Sequence, residues 1–264
     1  MEPTSFEPFT RVKACRHGQM IYNIHDQYVG RSFDLYGEFS EGEVDVFRQL
    51  VQPGNVVLDI GANIGSHTIF FAKQVGPAGG VYAFEPQRIV FQMLCGNAAL
   101  NNATNVWCHQ VALGREPGKI LVPQFDFHKV NNVGGLGLGA FQFGESIPVI
   151  TIDSLELNRC DLMKIDVEGM EEETLRGATA TIAKFKPVLY VENDREEKSA
   201  SLIRFIDSLG YAMFWHHPPL FNPNNFAGEP HNVFSNIVSA NMLCVHRSAT
   251  TKIDGMAPVV VPRG

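Results

Sequence analysis

The sequence has few cysteines, and their spacing excludes the common cysteine sites. Its 264 residues include five cysteines and no C-x-x-C pair. They are Cys15, Cys95, Cys108, Cys160 and Cys244. An odd, scattered set predicts reduced thiols in the core of a protein from an intracellular, cytoplasmic compartment. Because no ligand spacing is present, the sequence predicts no metal site.

Strongly basic stretches and long apolar runs are also absent. The chain has 21 basic and 28 acidic residues and a formal net charge of -7, which gives no electrostatic footprint for nucleic acid. No uncharged apolar run reaches membrane-spanning length, so no membrane partner is expected. The N-terminal stretch "MEPTSFEPFT" lacks the basic start and apolar stretch of a signal peptide.

The dinucleotide fingerprint G-x-G-x-x-G is missing from the most informative stretch, "VVLDIGANIGSHTIFFA" at 56–72. There an apolar run is followed by a G-x-x-x-G turn and a second apolar-periodic run. A turn of this kind lets a ligand approach the backbone closely. It suits a small anion, such as the carboxylate of S-adenosylmethionine, better than a diphosphate.

Strands and helices alternate along the chain after a first helix in "SEGEVDVFRQLV", where Ser40 and Glu43 form a capping-box pattern. The predicted strands are "VVLDI", "GVYAFEP", "NVWCHQVAL", "LMKID", "PVLYVEN", "YAMFWHH" and "NMLCVHR". Residues 11–34 add one or two strands before them. The alternation predicts an α/β fold with a doubly wound, mostly parallel sheet and helices on both faces. Because no helix separates the last two strands, a reversed strand is expected at one edge.

Two stretches are too long for routine connections, 123–148 and 216–236. Either can be a functional loop that binds substrate. The alternative for the first is a surface hairpin whose strands are the Phe-x-Phe segments "FDF" and "FQF". The sequence leaves both interpretations open.

The predicted cofactor site lies beyond the carboxyl ends of the first two strands of the alternation. Its residues are Asp59, Gly61, Asn63, Gly65, Ser66, His67 and Glu85. Gly61 permits a sharp turn, Ser66 and His67 lie where helix amides face an anion, and Glu85 is placed to accept hydrogen bonds from ribose hydroxyls. The alternative is that Asp59 and Glu85 only satisfy loop amides.

Three carboxylates at the ends of later strands are the catalytic candidates. Asp166 and Glu168 are the first choice for a base that removes a hydroxyl proton, and Glu192 is next. Glu168 has an alternative role as a cap of the following helix. Lys164 either pairs with Asp166 or is structural. A divalent cation in "DVEGMEEE" is disfavoured because its consecutive glutamates lie on different sides of a helix.

Several of these motifs resemble one known family. The segments "VVLDIGANIGSHT", "FEP", "VALG", "KIDVEGMEEETLRGA" and "PVLYVEN" resemble the FkbM-type S-adenosylmethionine-dependent methyltransferases, from about Gly37 to Arg247. The resemblance implies the class I, Rossmann-like sheet of seven strands with an antiparallel last strand. It also implies O-methylation of sugars or small natural products. By this analogy Asp59, Gly61, Asn63, Gly65 and Glu85 contact the cofactor.

The sequence therefore predicts an N-terminal extension at 1–36, a methyltransferase domain at 37–247 and a tail at 248–264. The tail is expected to be disordered or to pack on a partner subunit. The predicted activity is S-adenosylmethionine-dependent transfer of a methyl group to a hydroxyl of a sugar or small metabolite. The competing hypotheses are a nucleotide-cofactor oxidoreductase and a non-catalytic binding protein with the same fold. The oligomeric state stays open.

Overall fold

The computed structural model describes residues 7–132, 134–135, 137, 141–250 and 253–263. The strands are β1 (Thr10–Cys15), β2 (Gly18–Asn23), β3 (Val56–Ile60), β4 (Gly80–Phe84), β5 (Val106–His109), β6 (Ala112–Leu113), β7 (Gly118–Val122), β8 (Glu145–Ile150), β9 (Leu162–Ile165), β10 (Val188–Glu192), β11 (Tyr211–His216) and β12 (Asn241–His246). The helices are α1 (Val29–Tyr36), α2 (Glu41–Leu50), α3 (Ser66–Val75), α4 (Arg88–Leu100), α5 (Glu171–Arg176), α6 (Thr179–Phe185) and α7 (Glu196–Ser208), with a 3-10 helix at Ile152–Leu155.

Seven strands form the central sheet, in the order β11-β12-β10-β9-β3-β4-β5. Strand β12 is antiparallel to both of its neighbours, whereas the pairs on the other side of β10 are parallel. The predicted doubly wound sheet of seven strands with an antiparallel last strand is confirmed. The expected edge position of the reversed strand was wrong, because β12 inserts between β10 and β11. The chain passes from β10 through α7 to β11, which lies at the edge of the sheet. Strand β12 then returns and lies between β11 and β10.

The alternating side chains of the buried strands form a core on each face of the sheet. One core joins the sheet to the helices α5, α6 and α7; its members include Leu58, Ile60, Met163, Ile165, Leu189, Leu175, Ile182, Leu202 and Ile206. The other joins the sheet to α2 and α3; its members include Val57, Val81, Leu162, Tyr190, Leu243, Phe47 and Phe71. Strands with both faces covered read as continuous apolar runs, which explains the pattern of "VVLDI".

The N-terminal region is a β-hairpin followed by a helix. Strands β1 and β2 pair antiparallel, in agreement with the predicted strands, but α1 was not predicted. The fully buried Asn97 of α4 ties the hairpin to the sheet. Its Oδ1 accepts from Ile21 N at 2.6 Å, and its Nδ2 donates to Ile64 O at 2.7 Å. The hairpin is thereby fixed to the turn that follows β3.

The long loop between β12 and β11 is held against the N-terminal region by one buried carboxylate. Glu38 accepts from Asn222 Nδ2 at 2.8 Å and from Phe226 N at 2.7 Å. The Tyr36 hydroxyl also donates to His231 O at 2.7 Å. These contacts join residues near the start of the chain to residues near its end. The loop between β11 and β12 and the N-terminal region therefore lie against each other.

Three further sequence predictions differ from the structure. The predicted third strand, 105–113, divides into β5 and β6, and β6 joins a separate three-stranded sheet with β7 and β8. The predicted helix at 171–185 divides into α5 and α6 at Gly177, where a Cβ would lie 2.1 Å from the carbonyl oxygen of Gly114. The hairpin within 118–150 is formed by β7 and β8, and neither Phe-x-Phe segment is a strand.

The described part of the C-terminal tail lies along the outer edge of β11. Trp215 N donates to Ala257 O at 2.8 Å, and Val259 N donates to Met213 O at 2.9 Å. The tail therefore covers a sheet edge that would otherwise offer unpaired backbone groups. The predicted boundaries at 36 and 247 stay predictions. Within the residues that the structure describes, no helix has both the length and the apolar character needed to cross a membrane.

Candidate active site

A cavity of about 420 Å³ lies at the carboxyl ends of β3, β4, β9 and β10. Parallel strands bring the residues that follow them to one edge of the sheet, where ligands bind in open α/β sheets. Gly61 follows β3, Glu85 follows β4, Asp166 follows β9, and Glu192 ends β10. All four line this cavity, so the topology gathers cofactor and catalytic candidates from four distant segments.

The turn after β3 requires glycine at its first position. Gly61 has a φ of +73°, and a Cβ there would lie 1.7 Å from the carbonyl oxygen of Asp166. Its amide and that of Ala62 donate to Phe84 O at 3.0 and 2.9 Å, which anchors the turn to β4. Asn63 also has a positive φ, of 51°, which asparagine tolerates better than most residues. The backbone of the turn therefore faces the cavity.

Glu85 connects the turn to the next strand. Its Oε2 accepts from Asn63 N at 3.1 Å, and its Oε1 accepts from Gln87 N at 2.8 Å. Burial raises the pKa of Glu85 to about 7, although the two amides act to lower it. The structure therefore contains the hydrogen bonds of the alternative interpretation, in which Glu85 satisfies loop amides. Each carboxylate oxygen keeps a further lone pair, so the ribose contact stays a prediction.

Asp59 lies beneath the turn and does not line the cavity. It is fully buried, and Thr68 Oγ1 donates to its Oδ2 at 2.6 Å. Lys164 Nζ lies 3.4 Å from the other oxygen. This geometry gives Asp59 a supporting position under the turn. Its partners among the described residues are a hydroxyl and an ammonium group and not loop amides, and its contact with the cofactor stays a prediction. Gly65, which precedes α3 with a φ of +88°, also lies outside the cavity wall.

Lys164 joins the two halves of the cavity. The buried ammonium donates to Gly61 O at 2.8 Å and lies 3.3 Å from Asp166 Oδ2. Burial acts to lower the pKa of Lys164, but Asp166, Asp59 and Glu43 together raise it well above its ordinary value. Lys164 therefore stays charged. The sequence left open whether it pairs with Asp166 or is structural, and the structure gives it both roles.

Ser66 and His67, the first residues of α3, both line the cavity. Amides in the first turn of a helix have no partner inside the helix and can bind an anion. His67 is buried; its Nε2 has no hydrogen-bond partner among the described residues and lies 3.8 Å from Glu43 Oε2. Burial, and then the charge of Lys164, lower the pKa of His67 to about 3. The imidazole is therefore neutral.

The three catalytic candidates meet at the other end of the cavity. One carboxylate oxygen from each of Asp166, Glu168 and Glu192 lies within 4.8 Å of the others. Burial, and then the charge of Asp166, raise the pKa of Glu168 to about 7. The same two causes, in the same order, raise the pKa of Glu192 well above its ordinary value. The two glutamates therefore hold protons at neutral pH more readily than ordinary carboxylates.

Glu168 does not cap the helix that follows it. Its backbone has a φ of 56°, and its carboxylate contacts the guanidinium of Arg195. Glu171 instead satisfies the amides at this helix start, with Oε1 accepting from Gly169 N at 2.8 Å and Val167 N at 3.3 Å. The alternative role of Glu168 as a cap was therefore wrong, because its side chain turns towards β10 and α7.

Both predicted loops reach the cavity, together with residues that the sequence did not single out. Gly134 and Gly135 come from the first loop, Leu220 comes from the second, and the segment 237–241 lies just beyond the second loop. Glu43 lines the cavity although its pattern indicated a capping box. Its carboxylate accepts from Ser40 Oγ at 2.9 Å, and Ser40 makes no side-chain cap of α2. The predicted capping box was therefore wrong, because the side chains of Ser40 and Glu43 contact each other beside the cavity.

The trio of Asp166, Glu168 and Glu192 also has the spacing of a cation site. The consecutive glutamates of "DVEGMEEE" do not converge. Glu171 faces loop amides, and Glu172 pairs with Arg176 at 2.6 Å. The sequence-based expectation of no metal stays a prediction.

The order of the seven strands, the reversed β12 and a cavity at the strand ends define a class I methyltransferase fold. The model of the methyltransferase FkbM domain matches residues 59–213, which is more than half of the chain. The chain belongs to this family, as its motifs predicted. The crystal structure of methyltransferase FkbM from Methylobacillus flagellatus aligns with a TM-score of 0.50 and 19% identity, over 75% of this chain and 50% of that one.

Two curated relatives and a second solved structure agree with this assignment. Methyltransferase 1 of Beauveria bassiana is 27% identical over 143 residues, covering 46% of this chain and 57% of the relative. Hexuronic acid methyltransferase AglP of Haloferax volcanii is 29% identical over 146 residues, covering 52% and 57%. The matches thus span little more than half of each relative. Precorrin-6y C5,15-methyltransferase from Geobacter metallireducens shares the fold, with a TM-score of 0.50, 15% identity and coverage of 78% and 87%.

Proposed function

We propose that this chain is an S-adenosylmethionine-dependent O-methyltransferase that acts on a hydroxyl of a sugar or another small metabolite. One observation carries the proposal: a single cavity is lined at one end by the glycine turn and Glu85, and at the other by three carboxylates. The first end suits a cofactor with an amino-acid carboxylate and a ribose. The second suits a hydroxyl that must lose a proton.

The residues at the first end fit the cofactor. The backbone of Gly61 and Asn63 lines the cavity, and the first amides of α3 suit a carboxylate. The unpartnered His67 Nε2 and the remaining lone pairs of Glu85 suit polar groups of an amino acid and a ribose. We infer that Gly61, Asn63, Ser66, His67 and Glu85 hold it. When bound, S-adenosylmethionine supplies a methyl group on a sulfonium, which makes a hydroxyl a sufficient nucleophile.

Glu168 is the best candidate for the base. A pKa of about 7 places it where it can be ionised and still accept a proton at neutral pH. Glu192, whose pKa is also raised, holds a proton more readily than an ordinary carboxylate until a cation binds beside it. Asp166 is oriented by Lys164 and positions the acceptor. Environments that separate the pKa values of neighbouring carboxylates are how acid and base roles are divided.

Alignment is expected to contribute more than the base. Holding two reactants in line is worth about 7–11 kcal/mol, whereas a positioned base contributes about 10²–10⁴-fold, or roughly 3–5 kcal/mol. The turn and the carboxylates are attached to adjacent strands of a rigid sheet, so their separation is fixed before any ligand binds. The chain therefore provides the geometry for alignment without a large rearrangement.

The relatives support a hydroxylated small molecule as the acceptor. The printed name of the Haloferax volcanii relative gives a hexuronic acid as its substrate. The cavity volume, about 420 Å³, is in the range of small-molecule sites.

A screen of hydroxylated metabolites with a labelled methyl donor tests the activity, and calorimetry with S-adenosylhomocysteine tests the cofactor. We expect Glu168→Gln to lower kcat about 10²–10⁴-fold and leave S-adenosylhomocysteine affinity unchanged. The wild-type rate should fall as the pH drops below about 7, because protonation of Glu168 removes the base. The exposed Glu196, outside the cavity, provides the control variant Glu196→Gln. Binding of NAD in place of S-adenosylhomocysteine would contradict the proposal.

A further inference from the structure

The charges that line the cavity are strongly unbalanced. Among the described residues, six carboxylates line it: Glu43, Glu85, Asp166, Glu168, Glu192 and Asp194. Two cations, Lys164 and Arg195, oppose them. His67 adds no positive charge, because burial lowers its pKa to about 3. Four of the carboxylates, Asp166, Glu168, Glu192 and Asp194, lie at or just after the ends of β9 and β10, on the acceptor side, so the excess of acidic groups is concentrated there.

Both cations are already engaged by the protein. Lys164 contacts Gly61 O at 2.8 Å and is shared by Asp59 at 3.4 Å and Asp166 at 3.3 Å. Arg195 contacts the carboxylate of Glu168 and lies 3.3 Å from Asp194 Oδ1. Neither cation is therefore available to neutralise an anionic group of an acceptor without breaking an existing pair.

One carboxylate oxygen in the cavity wall has no partner. Glu192 Oε2 is buried and accepts no hydrogen bond from any described residue. A buried oxygen without a donor is unfavourable and is normally satisfied by protein, water or ligand. Because this oxygen belongs to a wall of the proposed acceptor site, a donor on the acceptor is the natural partner.

We infer that the acceptor carries a protonated amine next to the hydroxyl that is methylated, and that Glu192 and Asp166 bind this ammonium group. The inference rests on the proposed function and names its substrate class, a vicinal amino alcohol such as an amino sugar. It goes beyond the relatives, whose names give no amine.

The geometry matches this class in two respects. An ammonium group has three donors and no acceptor, and the three carboxylate oxygens of Asp166, Glu168 and Glu192 lie within 4.8 Å of one another. A hydroxyl on the neighbouring carbon, with the ammonium on Glu192 and Asp166, lies beside Glu168. The group that binds the amine and the group that removes the proton are thus adjacent.

The same charges disfavour a uronic acid. A carboxylate on the acceptor would face like charges with no free cation, and like-charge contacts in a desolvated site are strongly unfavourable. The acceptor class of this chain is therefore expected to differ from that in the name of the Haloferax volcanii relative.

Ligand-observed NMR on the protein saturated with S-adenosylhomocysteine tests the inference without turnover. The probes are the methyl glycosides of glucosamine, glucose and glucuronic acid. Relative to the glucose probe, the first carries an ammonium in place of the C2 hydroxyl and the last carries a carboxylate in place of the C6 hydroxymethyl group. We expect the glucosamine probe to bind at least tenfold more tightly than the glucose probe, and the glucuronic acid probe to bind most weakly. Glu192→Gln should abolish the preference for the amine, and Glu196→Gln should keep it.

Three results would overturn the inference: equal affinity for the amine and neutral probes, tighter binding of the uronic acid probe, or an unchanged amine preference in Glu192→Gln. Titration with Mg²⁺ or Ca²⁺ alone is a separate arm. A metal would supply the positive charge if two results held together: Glu192→Gln abolished binding of the ion, and the neutral probe bound only when the ion was present. The amine assignment would then be wrong. Loss of S-adenosylhomocysteine binding would instead count against the proposed function.

Discussion

Replacing Lys164 with methionine should destabilise the protein strongly, because one buried ammonium serves three acceptors. The side chain is 4% exposed and is hydrogen-bonded to Gly61 O at 2.8 Å. It also neutralises the fully buried Asp59 at 3.4 Å and the half-exposed Asp166 at 3.3 Å. Methionine keeps the length of the side chain and removes its charge, so Asp59 would be left as a buried charge without a counterion.

The expected loss is about 3–5 kcal/mol in the free energy of unfolding, the range measured when one partner of a buried ion pair is removed. Domains have total stabilities of about 5–15 kcal/mol, so this is a large fraction. For a slope of about 3 kcal/mol/M in urea, the midpoint of unfolding should fall by about 1–2 M. Removal of the anchor on Gly61 O should also weaken S-adenosylhomocysteine binding, since the turn loses its fixed position.

Urea unfolding followed by circular dichroism measures the effect. The control is Lys119→Met, because Lys119 of β7 is exposed. The double variant Asp59→Asn, Lys164→Met should be more stable than Lys164→Met alone, because the unpaired charge is gone. A loss below about 1 kcal/mol in Lys164→Met would refute the reasoning. Strictly additive effects of the two substitutions would also refute it, since they would mean that the two side chains do not interact.

Two further predictions concern the cofactor side of the cavity. Gly61→Ala should lower the free energy of unfolding by at least about 2 kcal/mol and abolish S-adenosylhomocysteine binding, because its Cβ would clash with Asp166 O. The control is Gly54→Ala, where φ is +83° and the Cβ would meet open space, so the loss should be only about 1 kcal/mol. Equal losses by urea unfolding would contradict the close approach. Folding raises the pKa of Glu85 from 4.5 to about 7, so the folded chain keeps a proton that the unfolded chain has lost, and stability falls as the pH rises through this window. Glu85→Gln should reduce that slope, to which Glu168 and Glu192 also contribute, in unfolding measurements at pH 5–8 without cofactor. An unchanged slope would exclude Glu85 as one of its sources.

Much of the sheet could be predicted from sequence because the information is local. Apolar runs identified the parallel strands, and the residues directly after β3, β4 and β9 had to meet at one edge. The sequence alone therefore predicts that Gly61, Glu85 and Asp166 share one cavity. The position of β12 was not predictable in this way, because strand order depends on crossover geometry and not on the composition of the strand.

The remaining site residues depend on contacts between distant segments. Glu43 belongs to a helix that packs across α3, and Asn241 Nδ2 donates to its Oε1 at 3.2 Å from the other end of the chain. Local spacing offered Glu43 a capping role, which is the more common use of that pattern. Arg195 likewise gives no signal in sequence, since its importance comes from Glu168, which lies on the loop after another strand.

Lys164 constrains which parts of the cavity can determine the acceptor. Its three contacts connect the turn, Asp59 and Asp166, so a change of charge on the acceptor side also disturbs the support of the cofactor side. Among the described residues, the segments 134–135 and 237–238 line the same cavity and have no hydrogen bond or ion pair with Lys164. Since they can change shape without breaking a contact of that buried charge, we expect them to determine the size and shape of the acceptor. The strand-end carboxylates would then determine its charge.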